Sequence, residues 1–175
     1  TSVLKPAQLT PLTALLLMDV LDSVGLPAGV VNCFVSSDSA ATTGPIIADP
    51  RLRKLTFTGS TGVGVTLLEQ AATNVLRTSM ELGGNAPFLV LAGADVDRAV
   101  EGAIVAKMRN IGQACTAANR FIVHHSHYEE FATKFARRVS ELVIGNGMDD
   151  GVKIGPLVSA GALDGVESVV REAID

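Results

Sequence analysis

Tryptophan is absent from the 175 residues and tyrosine occurs once, leaving six phenylalanines as the aromatic content. A nucleic-acid surface needs a basic stripe or a platform of exposed rings. With 14 Lys+Arg against 18 Asp+Glu and a formal net charge of −4, nucleic acid is not an expected partner. Cysteine is scarce too: Cys33 and Cys115 lie far apart with no CxxC pair. That excludes a disulfide scaffold and a structural zinc knuckle and fits a reducing, cytoplasmic setting. Long apolar runs are also missing. The longest, Leu12 to Leu21, is broken by Thr13 and Asp19 and falls short of the ~20 residues that cross a bilayer. No basic segment leads into an apolar core at the N-terminus, so neither a membrane partner nor a secretory signal is expected.

What remains is a globular composition. Hydrophobic residues make up 47%, charged residues 18%, and the 17 glycines follow no period, which excludes collagen-like, coiled-coil and disordered classes. Strand and helix patterns alternate along the chain. Strands are predicted at Ser2 to Lys5, Val30 to Val35, Lys54 to Thr58, Arg77 to Leu82, Pro87 to Leu91 and Phe121 to His124. Helices are predicted from a Thr10-Pro11 start to Gly25, from the loop at Gly59 through Ala72, from Asp95 to Asn110, from Tyr128 to Leu142, and at the C-terminus. The first helix carries apolar residues beyond one face and is expected to be covered on two sides, and Val30 to Val35 is expected to be a buried strand. The Ser/Thr/Asp/Ala stretch holding Gly44-Pro45 carries no predicted element. The alternation predicts an α/β fold, a mostly parallel sheet covered by helices. Thr1 opens directly on a strand pattern and Asp175 stops inside a helical one, so the sequence is expected to be the central piece of a larger protein.

Four segments hold residues suited to chemistry. Cys115 sits among small and polar residues in Arg109-Asn110-Ile111-Gly112-Gln113-Ala114-Cys115-Thr116. A free thiol becomes an effective nucleophile in electropositive surroundings, which Arg109 and Arg120 can supply. The alternative, a small hydrophobe inside a core, is the usual fate of a lone cysteine and the better reading of Cys33 in its apolar run. Glu81 ends an apolar strand before Leu82-Gly83-Gly84; there it is either a general base over a crevice or an exposed strand-end charge. Gly59-Ser60-Thr61-Gly62-Val63-Gly64 joins a strand to a helix, where free N–H groups and the helix dipole favour phosphate. Its order is neither G-x-G-x-x-G nor a triphosphate loop, so a plain turn stays open. Lys5-Pro6 at a strand end is either a ribose or phosphate contact or a solvated lysine. His124, His125 and His127 have no carboxylate or thiol spaced to complete a metal site, so no metal is expected. Glu129-Glu130 and Arg137-Arg138 are expected on a solvated helix face.

Together these segments resemble the aldehyde dehydrogenase superfamily, and the likeness runs through essentially the whole chain. Lys5-Pro6-Ala7-Gln8-Leu9-Thr10-Pro11 is similar to its cofactor-ribose segment, and Phe57 to Gly64 to its nicotinamide-side glycine loop. Met80-Glu81-Leu82-Gly83-Gly84 is similar to its general-base segment, and Gly112-Gln113-Ala114-Cys115 to its catalytic-thiol segment. The resemblance implies Cys115 as nucleophile, Glu81 as base for the deacylating water, and NAD or NADP held by Lys5, Gln8, Gly59, Ser60, Gly64 and Leu82. It also implies half of an oxyanion hole from the Cys115 backbone N–H, the other half being an asparagine outside this sequence. The run from Arg109 to Arg120 looks most like the succinate-semialdehyde branch, which implies that Arg109 holds a substrate carboxylate. Gln8 stands where many NAD-preferring relatives carry glutamate, so both cofactors stay open, and Ala117 replaces the second cysteine of some members. The implied division falls at Gly84, with residues 1–84 the later part of a cofactor domain and 85–175 the first part of a catalytic domain. A small aldehyde substrate and a homo-oligomer, dimer or tetramer, complete the expectation. The rival readings are an inactive or non-catalytic binding module, a dehydrogenase for another small aldehyde, and a cofactor-free thiol hydrolase.

Overall fold

The computed structural model describes residues 1–175. The chain forms two compact units, Thr1–Glu81 and Leu82–Asp175. In the first unit β1 (Ser2–Leu4) pairs in parallel with β2 (Val31–Cys33), with Leu4 opposite Cys33. Parallel neighbours need a crossover, and α1 (Leu12–Ser23) provides it. A Schellman ending closes α1: Gly25, at φ 79°, donates to Asp22 O and Leu26 donates to Leu21 O. Only a residue without Cβ adopts that φ freely. The helix starts at Leu12 with Pro11, not Thr10, at the cap position and no side-chain cap hydrogen bond, while Thr10 N–H closes a turn onto Ala7 O at 3.2 Å.

The helix α2 (Ser39–Ala48) forms in the stretch holding Gly44-Pro45, where no element was predicted. Asp38 caps it, its carboxylate accepting from Ala41 N–H at 2.9 Å. Asn74 covers its last carbonyls, with Nδ2 3.3 Å from Ile47 O and 3.1 Å from Ala48 O. Ile47 is buried. Tertiary partners thus outweigh the helix-breaking tendency of Pro45. The strand β3 (Lys54–Gly59) leads into α3 (Thr61–Ala72) and then β4 (Arg77–Leu82), which neighbours β3. Neither α1 nor β2 is covered as the sequence predicted. No residue of α1 is buried, Leu12 and Val24 stand largely exposed, and β2 is at most half-buried. An apolar stripe marks a face that tends to be covered, but the cover has to come from another layer, and a two-stranded sheet provides little of one.

The second unit pairs β5 (Ala86–Val90) in parallel with β6 (Ala118–Val123), joined through α4 (Val96–Met108). The helix α5 (Tyr128–Ser140) packs on α4, and α6 (Ala160–Ile174) ends the chain. Val90, Val96, Val100, Ala103 and Phe131 form the core. Phe121 lies 5.0 Å from Phe135 and 5.5 Å from Phe88 between ring centroids, contacts worth roughly 0.5–1.5 kcal/mol each beyond their buried area.

Glu129, Glu130 and Arg137 lie on the exposed face of α5, as expected, and Arg138 is half-buried. Lys134 bridges Asp97 of α4 and Glu130, both at 2.6 Å, and Arg138 reaches Glu101 of α4 at 2.7 Å. The Arg138 guanidinium holds the Glu101 carboxyl below its ordinary value of 4.5. A carboxyl depressed in the folded state contributes stability that is present above its unfolded value and lost as pH falls through the folded one. Acidification through this range is therefore expected to remove the pair's small contribution to the stability of the α4–α5 contact. Circular dichroism melts against pH should show a shallower acid decline in Glu101→Gln than in the unaltered chain.

Candidate active site

The thiol segment begins where α4 ends. The sequence predicted a helix running to Asn110, but α4 stops at Met108 and a short 3-10 turn, Arg109–Gly112, follows. Asn110 (φ 52°), Ile111 (φ 52°) and Gly112 (φ 79°) are all left-handed. For an L-residue this costs roughly 1–2 kcal/mol, and a β-branched residue such as Ile111 is an outlier there. The surroundings fix it. Asn110 and Gln113 bond each other twice: Gln113 N–H donates to Asn110 O, and Asn110 Nδ2 to Gln113 O, both at 3.0 Å. A Cβ on Gly112 would lie 3.0 Å from Lys107 O and would meet a φ of +79° as well. Gly112→Ala is therefore expected to destabilise the second unit by about 2 kcal/mol, measured as a shift in urea midpoint at unchanged slope.

Cys115 follows at the corner of a tight turn in which Ala117 N–H donates to Ala114 O at 3.0 Å. The thiol is exposed. Cys33, by contrast, is half-buried at the end of β2. Arg109, also exposed, donates from Nη2 to Thr116 Oγ1 at 3.3 Å. The bond ties a guanidinium to the residue next to the thiol and leaves its other N–H groups available. Nothing in the residue pattern had singled out Thr116, since a hydroxyl beside a cysteine carries no spacing signal.

Behind the turn stands a second pair of unanticipated residues. Asn119 Nδ2 donates to Gly84 O at 3.1 Å, and Lys107 Nζ donates to Asn119 Oδ1 at 3.1 Å. Gly84 abuts the thiol residue itself: a Cβ there would lie 3.2 Å from Cys115 O.

In the first unit, the candidate cofactor residues follow strand ends, where open α/β sheets bind ligands. Lys5 follows β1, half-buried, with Nζ on Pro6 O at 2.7 Å. Gln8 occupies the exposed Ala7–Thr10 turn. Gly59 ends β3 under the ring of Phe57, which a Cβ at that position would strike. Ser60 caps α3, its Oγ accepting from Val63 N–H at 3.4 Å, and Gly64 is buried in the first turn. That turn holds no acidic residue, so the positive end of the helix is unopposed and suits a phosphate. The Ser60 end of α3 thus fits the phosphate portion of a nucleotide cofactor. Glu81 is the exposed last residue of the first unit, and Leu82 ends β4 as the first residue of the second. The structure assembles no group of three or more His, Cys, Asp and Glu placed to hold a metal. His124 Nδ1 meets Ser126 Oγ at 2.8 Å and His127 Nε2 meets Ala92 O at 2.7 Å. No helix is long and apolar enough to cross a membrane.

Fold and site together define an α/β protein with parallel strands and helices that presents a free thiol shortly after a left-handed run, with a guanidinium bonded to the neighbouring Thr116. Comparison with known proteins makes this specific: the aldehyde dehydrogenase family model matches residues 1–175, and the chain belongs to that family. It is 54% identical over its whole length to a succinate-semialdehyde dehydrogenase of Paenarthrobacter nicotinovorans, spanning 39% of that protein. It is 47% identical, again over its whole length, to the NADP(+) succinate-semialdehyde dehydrogenase of Escherichia coli, spanning 36% of it. Among solved structures, the succinate-semialdehyde dehydrogenase of Burkholderia pseudomallei superposes with a TM-score of 0.95 at 45% identity. That match covers 98% of this chain and 36% of that one. The chain thus spans well under half the length of these relatives.

Proposed function

We propose that this chain carries the nucleophile, the general base and part of the cofactor cradle of an enzyme that oxidises an aldehyde to a carboxylic acid, with succinate semialdehyde as substrate. The observation that carries the reading is the exposed Cys115 with Arg109 tied to its neighbour Thr116. A thiolate at that corner attacks the aldehyde carbon and forms a thiohemiacetal. The Cys115 N–H is assigned to the oxyanion, as the family resemblance implies. An oxyanion on a tetrahedral carbon expels hydride far more readily than a free aldehyde does, which is the physical reason for going through sulfur. The bound nicotinamide cofactor supplies the acceptor for that hydride. Glu81, as general base, then takes a proton from the water that hydrolyses the thioester on Cys115.

Arg109 is assigned to the distal carboxylate of the substrate, since a planar guanidinium fork matches a carboxylate in two parallel hydrogen bonds. Residues 1–84 are assigned to the cofactor and residues 85–175 to the thiol. Gln8 is uncharged, so it imposes no repulsion on a 2′-phosphate, and NADP is accommodated as well as NAD. A working free thiol calls for a reducing compartment. The resemblance further implies assembly of like subunits into a dimer or tetramer, which light scattering of the intact protein would read. The test of the reaction is formation of NADH or NADPH by the intact protein on succinate semialdehyde and on uncharged aldehydes of similar length. Preferred turnover of succinate semialdehyde with either cofactor supports the assignment. Ester hydrolysis without any nicotinamide reduction would overturn it.

A further inference from the structure

The two strands that carry the thiol segment are out of step at one place. Ala86 pairs with Ala118, but Pro87 pairs with Arg120, so β6 holds one residue more than β5, and that residue is Asn119. The cause is local: Pro87 has no N–H with which to continue the ladder. A bulge re-aims the side chain of its extra residue, and Asn119 uses the new direction to bond Gly84 O at 3.1 Å. Gly84 is the residue against the Cys115 carbonyl. The other end of the Asn119 amide is fixed by Lys107 Nζ at 3.1 Å. Lys107 stands in the last turn of α4, and its carbonyl and stem also back the left-handed Gly112. One lysine therefore fills the space a side chain at Gly112 would need and, through Asn119, is linked to Gly84 O beside Cys115.

We propose that Lys107 and Asn119 are positioning residues, a two-link clamp that fixes the Cys115 turn for attack on the aldehyde. The inference rests on Cys115 being the nucleophile. Neither side chain touches a reacting atom; each acts through Gly84 and Gly112. The isosteric Asn119→Asp keeps an acceptor for Lys107 but replaces the donor to Gly84 O by an oxygen. It is expected to lower kcat per titrated thiol by roughly 100-fold, the scale of a displacement of about 1 Å near reacting groups, with KM nearly unchanged. Lys107→Met should act in the same direction, and Lys107→Arg, which retains a donor, should restore most of the rate. Because the links lie in series, Lys107→Met/Asn119→Asp should be no slower than Asn119→Asp alone.

Amide exchange read by peptide mass spectrometry gives a second measure, independent of turnover. Residues 112–117 should exchange about tenfold faster in both single variants while peptides of α4 and α5 stay unchanged. Losses that multiply in the double variant, or that come only as a lower melting temperature at unaltered kcat per thiol, would overturn the clamp. Should the unaltered protein oxidise no aldehyde, the proposed reaction fails on its own, and exchange alone decides the clamp. Faster exchange at 112–117 sustains it; unchanged exchange overturns it.

Discussion

Cys115→Ala in the intact protein is expected to abolish aldehyde oxidation, with kcat falling at least ~10⁴-fold, while NAD or NADP still binds. Removal of a nucleophile that acts as one unit with its base and oxyanion donors costs that much or more, because no neighbouring group substitutes for it. The cofactor residues proposed here lie elsewhere in the chain, so isothermal titration with NADP should be altered little. Cys33→Ala is the control: that thiol is half-buried at the end of β2, and its loss should leave turnover intact. Equal losses in the two variants would show that the thiols act through folding rather than chemistry.

Arg109→Ala should raise KM for succinate semialdehyde about 100-fold and leave an uncharged aldehyde of the same length almost untouched. A hydrogen bond to a charged group contributes roughly 1.5–3 kcal/mol, and the fork makes two of them to one carboxylate. Arg109→Lys should recover only part of the loss, since an ammonium is a point charge without the paired geometry. Thr116→Val removes the hydroxyl that receives Arg109 Nη2 and should have a smaller effect of the same selectivity. Steady-state kinetics on the two aldehydes separate these outcomes. An equal loss on both would remove the carboxylate role from Arg109.

Much of the architecture was legible before any coordinates, because the strands and helices follow their periods. Asp95, Ser60 and Gly25 mark helix boundaries by side chains and conformations that physics assigns to caps. The misreadings share one cause. The Gly44-Pro45 stretch carried no predicted element because what stabilises its helix, Asn74 and the burial of Ile47, depends on the rest of the unit. The cover expected for α1 and β2 likewise depended on neighbouring layers rather than on their own residues. At the site, Cys115, Glu81 and Arg109 were legible as residue types suited to chemistry. The left-handed run at Asn110, Ile111 and Gly112 was not, since nothing in the spelling of Ile111 announces a positive φ. Asn119 was hidden for a related reason: its direction is set by a ladder slip at Pro87, which appears only once β5 and β6 are paired.

The most direct measurement is to catch the acyl group. Intact protein carrying Glu81→Gln, given succinate semialdehyde and NADP or NAD, should release about one equivalent of reduced cofactor in a burst and then stall. Rapid acid quench and peptide mapping should find a succinyl thioester on Cys115. A burst with the adduct on that sulfur is the predicted result. Reduced cofactor formed at full steady rate with no adduct, or an acyl group carried by any other residue, would contradict the account.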